Sequence, residues 1–341
     1  MNKTFTIHAG TFKTASTYIQ HRLWKNEKIL ESFGIKLLYP KDINTGWFKE
    51  FAKWVNEKNY VEIKHVLSHI DRQTKHVIVS AEQFSRALLN EENVNNLQEV
   101  LSEYGYKLNI IIFLRDQPDY INSTYIQEVR RFYHSLNIRD FTRKCLNKKE
   151  LKYNYEKMFS HLVDNKNFDA TFLPYGSTFG DPFIRLIGSL KEKLPDHIDW
   201  ISANPNNLND QPGIKGVWLA LKACKKMQKM GVNLKLIEDE SIYIRKYSIP
   251  REWSKNRFYG LKPKKVKKIR DYYKSSNDRF ARKAWGRETW AEIYENLPQQ
   301  KYSILNDSLL SDEDTLEMKN LLSRVIADVK ERNPHAFPDP N

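Results

Sequence analysis

Cysteine is scarce in this chain of 341 residues, which holds only Cys145 and Cys224. Two distant thiols suggest neither a disulfide framework nor a zinc site. Long apolar runs are also missing. The longest, residues 110–114, falls far short of the roughly 20 residues that cross a bilayer. No apolar signal region precedes the first strand, so a cytoplasmic, reducing compartment is expected. Negative charge is in deficit: 42 Asp and Glu face 56 Lys and Arg, a net charge of +14. A balance of that sign excludes no anion and favours many: nucleotides, nucleic acid, acidic glycans, anionic lipid. Low-complexity tracts and repeats are absent too. With 40% hydrophobic and 13% aromatic residues, the chain is globular and long enough to bury a large core.

The positive charge is concentrated. Between Lys255 and Arg287 there are thirteen Lys or Arg, opposed locally by Asp271, Asp278 and Glu288. A metal site has little to start from. His65 and His69 stand at helical i, i+4 spacing with no third ligand near them in sequence, and read as surface or packing residues.

Five stretches read as strands: 4–9, 34–40, 76–82, 107–115 and 168–176. The third and fourth are continuous apolar runs, as strands buried on both faces of a parallel sheet are. Helical spacing fills the intervals, over 47–56, 60–71, 91–104, 119–133, 139–146, 155–164 and 181–193. Strands alternating with helices predict an α/β fold: three layers, a parallel sheet with helices on both faces. Beyond a polar loop at 203–213 the pattern turns helical, over 214–230, 264–282, 289–296 and a last helix capped at Ser311. The expectation is one domain, residues 1–341, with an α/β core at 1–200 and a basic helical annex at 201–341.

The first strand ends at His8-Ala9-Gly10. Lys13, Thr14, Ala15, Ser16 and Thr17 follow, then a helix carrying Ile19, Leu23 and Trp24. A helix N-terminus leaves its first amides unpaired and carries a partial positive charge, so this turn is a ready anion site. Lys13 adds a full charge. The nucleotide P-loop, G-x-x-x-x-G-K-[ST], does not fit: from Gly10 its second glycine would fall at Ala15 and its lysine at Ser16.

The order His8-x-Gly10-x-x-Lys13-Thr14-x-Ser16-Thr17-x-x-Gln20 instead resembles the 5′-phosphosulfate loop of bacterial and glycan sulfotransferases. Ala15 stands where that family usually has glycine. An alanine does not readily take positive φ, so Ala15 is expected either to be helical already or to alter the loop. Arg115 ends a strand and Ser123 follows it by eight residues; the resemblance makes this pair the holder of the donor's 3′-phosphate. Ser80-Ala81-Glu82-Gln83-Phe84 is similar to the family's S-x-E-x-[FL] segment, in which a strand-end glutamate faces the acceptor.

The resemblance covers roughly residues 4–190, and implies a P-loop-NTPase-like sulfotransferase fold. It implies 3′-phosphoadenosine 5′-phosphosulfate (PAPS) as donor and 3′-phosphoadenosine 5′-phosphate (PAP) as product, with no metal. Gly10, Lys13, Thr14, Ala15, Ser16, Thr17, Arg115 and Ser123 would bind the nucleotide. Lys13 would stabilise the leaving phosphate oxygen, and Glu82 would be the general base, with His8 as rival. A late basic segment contacts the 3′-phosphate in this family; Arg282 is its candidate here, although the segment lacks the G-x-x-G-x-W-K pattern. The acceptor implied is a glycan or glycolipid hydroxyl, with no nucleic-acid partner. Two other classes compete: a P-loop kinase-like phosphoryl transferase, and a non-catalytic polyanion-binding protein acting through residues 255–287.

Overall fold

Five parallel strands form the centre of the computed structural model, which describes residues 3–42, 46–147, 151–192, 194–203, 211–237, 241–305 and 311–338. They are β1 (Lys3–His8), β2 (Ile35–Leu38), β3 (His76–Ser80), β4 (Tyr106–Arg115) and β5 (Asp169–Tyr175), in the order β2-β3-β1-β4-β5. β1 therefore pairs with β3 on one side and β4 on the other, with His8 opposite both Ser80 and Ile111. All five expected strands are present and the fold is α/β.

The sheet is covered on both faces. On one, Ile78, Ile111 and Phe113 pack with Ile19 and Leu23 of helix Ser16–Lys25, Leu30 of Glu27–Ser32, and Phe183 and Leu186 of Pro182–Ile187. On the other, Phe5 stacks on Phe51 of helix Lys49–Asn56, their centroids 5.6 Å apart. Alternate residues of β1 and β4 serve opposite faces, as the strand period of two requires.

By its contacts the chain forms two compact units. The first comprises Met1–Asp116, Leu151–Leu208 and Tyr273–Pro298, and contains the sheet. The second comprises Gln117–Glu150, Asn209–Tyr272 and Gln299–Asn341, and among its described residues the elements are helical apart from a bridge between Tyr259 and Ser303. Within it, Asn122 holds both sides of a turn: its Nδ2 donates to the Phe258 carbonyl at 3.3 Å, and its Oδ1 accepts from Gly260 N at 2.9 Å.

Several boundaries differ from expectation. The helix expected over 60–71 ends at Ser68, and that expected over 181–193 ends at Ile187. Residue 193 and most of the loop expected at 203–213 lie outside the described residues. The helices Glu27–Ser32, Phe84–Ala87 and Ser241–Ser248 were not expected. Runs of four to eight residues leave at most about two turns in which to display helical periodicity.

Candidate active site

β1 does not stop pairing at its formal end. Ala9 N donates to Ile111 O, Phe113 N to Gly10 O and Thr11 N to Phe113 O, at 2.9–3.0 Å. The chain stays zipped to β4 through Thr11 and then turns sharply. Gly10 (φ 70°), Lys13 (φ 69°) and Ala15 (φ 62°) all lie in the left-handed region. Ala15 is thus neither helical nor avoiding positive φ; it is the left-handed N-cap of helix Ser16–Lys25. Two bonds hold it there. Thr14 Oγ1 donates to the Thr11 carbonyl across the turn. Arg115 donates from its guanidinium to the Lys13 carbonyl at 3.2 Å. Positive φ at residues 13 and 15 alternates with negative φ at 14 and 16, the backbone pattern of an anion nest.

The side chains around this turn are not equivalent. The Thr14 hydroxyl is fully buried and its proton is spent on Thr11, so Thr14 shapes the loop. Ser16 is 3% exposed and its hydroxyl has no hydrogen-bond partner. A buried hydroxyl left unsatisfied costs about 1–3 kcal/mol, so its position calls for a ligand atom. Lys13 and Thr17 are half-buried at the same mouth.

Glu82 meets the loop at its glycine. A Cβ on Gly10 would lie 3.2 Å from both the Glu82 Cβ and the Ser16 Oγ, a tight contact at a backbone conformation that already favours glycine. Glu82 is half-buried, two residues past β3, and its carbonyl accepts the Ser85 hydroxyl at 2.6 Å. His8 has a different setting. It is fully buried, its Nδ1 bonds the Ser80 hydroxyl at 2.8 Å, and its ring packs edge-on against Phe113. Burial lowers its pKa to about 3, so the ring is neutral at physiological pH, with Nε2 unpartnered.

Arg115 lies at the carboxyl end of β4 with its guanidinium 5.6 Å from the Tyr175 ring centroid, while its carbonyl accepts the Tyr155 hydroxyl at 2.6 Å. Arg282 also belongs to the first unit but is exposed, bonding the Glu288 carbonyl at 3.2 Å. Ser123 is buried on helix Gln117–Arg130, in the second unit. One group therefore comprises Gly10, Lys13, Thr14, Ala15, Ser16, Thr17, Glu82 and Arg115. No contact places Arg282 in it.

Sequence reasoning did not anticipate the aromatic cluster that closes over the ends of β4 and β5. Trp285 Nε1 donates to Phe172 O at 2.7 Å, Tyr294 OH to Leu114 O at 2.6 Å, and Trp290 Nε1 to Asp116 Oδ1 at 3.2 Å. Trp290 is also stacked on Tyr155 and Tyr294. Arg185, half-buried between the Phe113 and Phe179 rings, donates to the Pro174 carbonyl beside them. These groups fix the strand end from which Arg115 projects.

A cleft of about 500 Å³ lies elsewhere, at the amino ends of β2 and β3, where His76 Nε2 meets Glu192 at 2.7 Å. It is at the opposite edge of the sheet from the loop, the edge at which parallel α/β sheets do not usually place their ligands. His65 and His69 are exposed, and the His69 ring bonds the His65 carbonyl at 2.8 Å. Among the described residues no group of three or more metal-ligating side chains is assembled, and no helix is long and apolar enough to cross a membrane.

Comparison of the chain with protein-family models, curated proteins and solved structures gave no match in any of the three.

Proposed function

We propose that the chain is a sulfotransferase with a P-loop-NTPase-like fold, which moves a sulfuryl group from PAPS to a hydroxyl of a glycan or glycolipid. One observation carries the reading. Around Gly10, a phosphate-type turn with an unspent buried hydroxyl (Ser16) packs against the Cα and Cβ of a strand-end glutamate, Glu82. The residues fit the donor: the Gly10 cradle would be filled by a Cβ, and Ser16 Oγ lacks a partner.

PAPS, when bound, supplies a sulfuryl group on a good phosphate leaving group. Ser16, Thr17 and the amides of residues 13–16 hold the 5′-phosphate, at the positive end of the helix dipole. Lys13 places its ammonium where negative charge builds on the leaving oxygen, favouring the transition state over the ground state. Glu82 takes the proton of the acceptor hydroxyl as it attacks sulfur. His8, sealed and weakly basic, keeps the end of β1 registered on Ser80 and leaves the base role to Glu82. Arg115 takes the 3′-phosphate by a guanidinium fork.

The test is turnover of radiolabelled PAPS with a mixed glycan acceptor. Glu82→Gln should abolish transfer and leave PAP affinity intact. Lys13→Ala should lower the transfer rate at least ~100-fold. Transfer unaffected by both substitutions would overturn the assignment.

A further inference from the structure

Two aromatic rings, each with a cation over its face, belong to segments that touch the chain around the candidate base: Phe12 in the turn and Trp47 on Gln83. Phe12 sits in the turn, half-buried, with the Arg86 guanidinium 5.1 Å from its ring centroid. Trp47, also half-buried, spends its Nε1 on the Gln83 side chain at 3.1 Å and carries the Lys49 ammonium 5.1 Å from its ring centroid. Both rings are one step from Glu82. Gln83 is its neighbour in the chain, and Phe12 lies two residues beyond the glycine that touches it. The segment holding Trp47 is fixed to the end of β3 by Phe48 N donating to Ser80 O at 3.0 Å.

Neighbouring rings behave differently. Phe48 and Phe51 are buried in the core, whereas Phe12 and Trp47 keep part of their surface open. The cations are exposed as well; Lys49 has Glu50 at 3.7 Å as an acidic neighbour. Flat, rigid apolar rings suit the apolar C–H faces of a sugar. Cations fixed above those rings would meet a negative group carried by the same sugar, the guanidinium by a two-point bond.

We infer that Phe12 and Trp47, with Arg86 and Lys49, form the acceptor subsite, and that the acceptor is a sugar bearing a negative group, either a carboxylate or a phosphate or sulfate monoester. The inference rests on the sulfotransferase reading for the role of Glu82. It predicts that a neutral sugar is a poor occupant, because it offers the Arg86 guanidinium and the Lys49 ammonium no charge to pair with.

Saturation-transfer NMR on the full chain saturated with PAP, using glucuronate, glucose 6-phosphate and glucose as probes, tests it. At least one charged sugar should bind ~10-fold or more tightly than glucose, and which one binds better separates carboxylate from ester. Arg86→Gln should erase the preference; Trp47→Ala should weaken every sugar. PAP affinity in each variant, measured alongside, reports an intact fold. Equal binding of charged and neutral sugars overturns the inference, as does absence of sugar binding while PAP binds. Failure of PAP itself to bind would instead remove the donor reading on which the subsite rests.

Discussion

Ala15 and Lys13 hold φ angles of 62° and 69° without being glycine. The left-handed region costs an L-residue about 1–2 kcal/mol. Here the Thr14–Thr11 and Arg115–Lys13 bonds bracket the turn and impose it. Ala15→Gly should therefore stabilise the protein, by a net ~0.5–1 kcal/mol once the extra freedom of the unfolded chain is counted. Urea denaturation checks the sign; a loss of stability would contradict the strain account. His8 makes a second prediction. Its pKa is depressed from 6.5 to about 3 by burial. Below about pH 6.5 the unfolded imidazole binds a proton that the folded one refuses. Stability should thus be insensitive to His8 above that pH and fall by about 1.4 kcal/mol per unit as pH drops toward 3. His8→Asn should flatten that slope between about pH 6 and pH 4.5. At this scale, the turn at Gly10 and Lys13 was legible because a strand, a glycine and a helix start follow one another along the chain. The spent Thr14 hydroxyl and the left-handed Ala15 were not, since both depend on bonds that close only when the turn forms.

At the scale of elements, the sequence marked the five strands well: β-branched and apolar runs bounded by glycine, proline or charge leave little choice. The order β2-β3-β1-β4-β5 was not readable from those runs, because pairing between strands about 40 to 100 residues apart leaves no local trace. Nor was the aromatic cluster over the strand ends. Trp285, Trp290 and Tyr294 looked like ordinary helix and turn residues, and their N–H and O–H groups found partners more than 100 residues away. Trp290→Phe keeps most of the stacking and removes a donor from Asp116, which is 1% exposed. The expected cost is about 1–3 kcal/mol in denaturation, together with weaker PAP binding, because Asp116 adjoins Arg115. Full stability in that variant would show that the cluster acts through packing alone.

Over the whole molecule, a net charge of +14 suggested a basic face available to any polyanion. In the first unit, part of that charge is already engaged. Arg279 forms a two-point pair with Glu156 at 2.6 and 2.7 Å, Lys283 pairs with Asp164, and Lys274 with Asp278. Glu156 and Asp164 lie more than 100 residues from their partners, so the run of thirteen cations looked less opposed than it is. Non-specific capture of duplex DNA should therefore be weak and lost by about 200 mM salt, falling by orders of magnitude from about 50 mM. PAP affinity should change by about tenfold or less over the same range. If DNA binding outlasts PAP binding as salt rises, the polyanion-binding class is the better description.

The central claim is that the turn after β1 and the end of β4 bind a nucleotide with phosphates at both its 3′ and 5′ positions. Calorimetric titration with PAP, on wild type, Lys13→Ala and Arg115→Ala, measures this most directly. The account predicts micromolar binding to wild type and at least ~10-fold weaker binding, about 1.4 kcal/mol, in each variant. No PAP binding by wild type, with magnesium-dependent ATP binding in its place, would contradict it and return the chain to the kinase-like class.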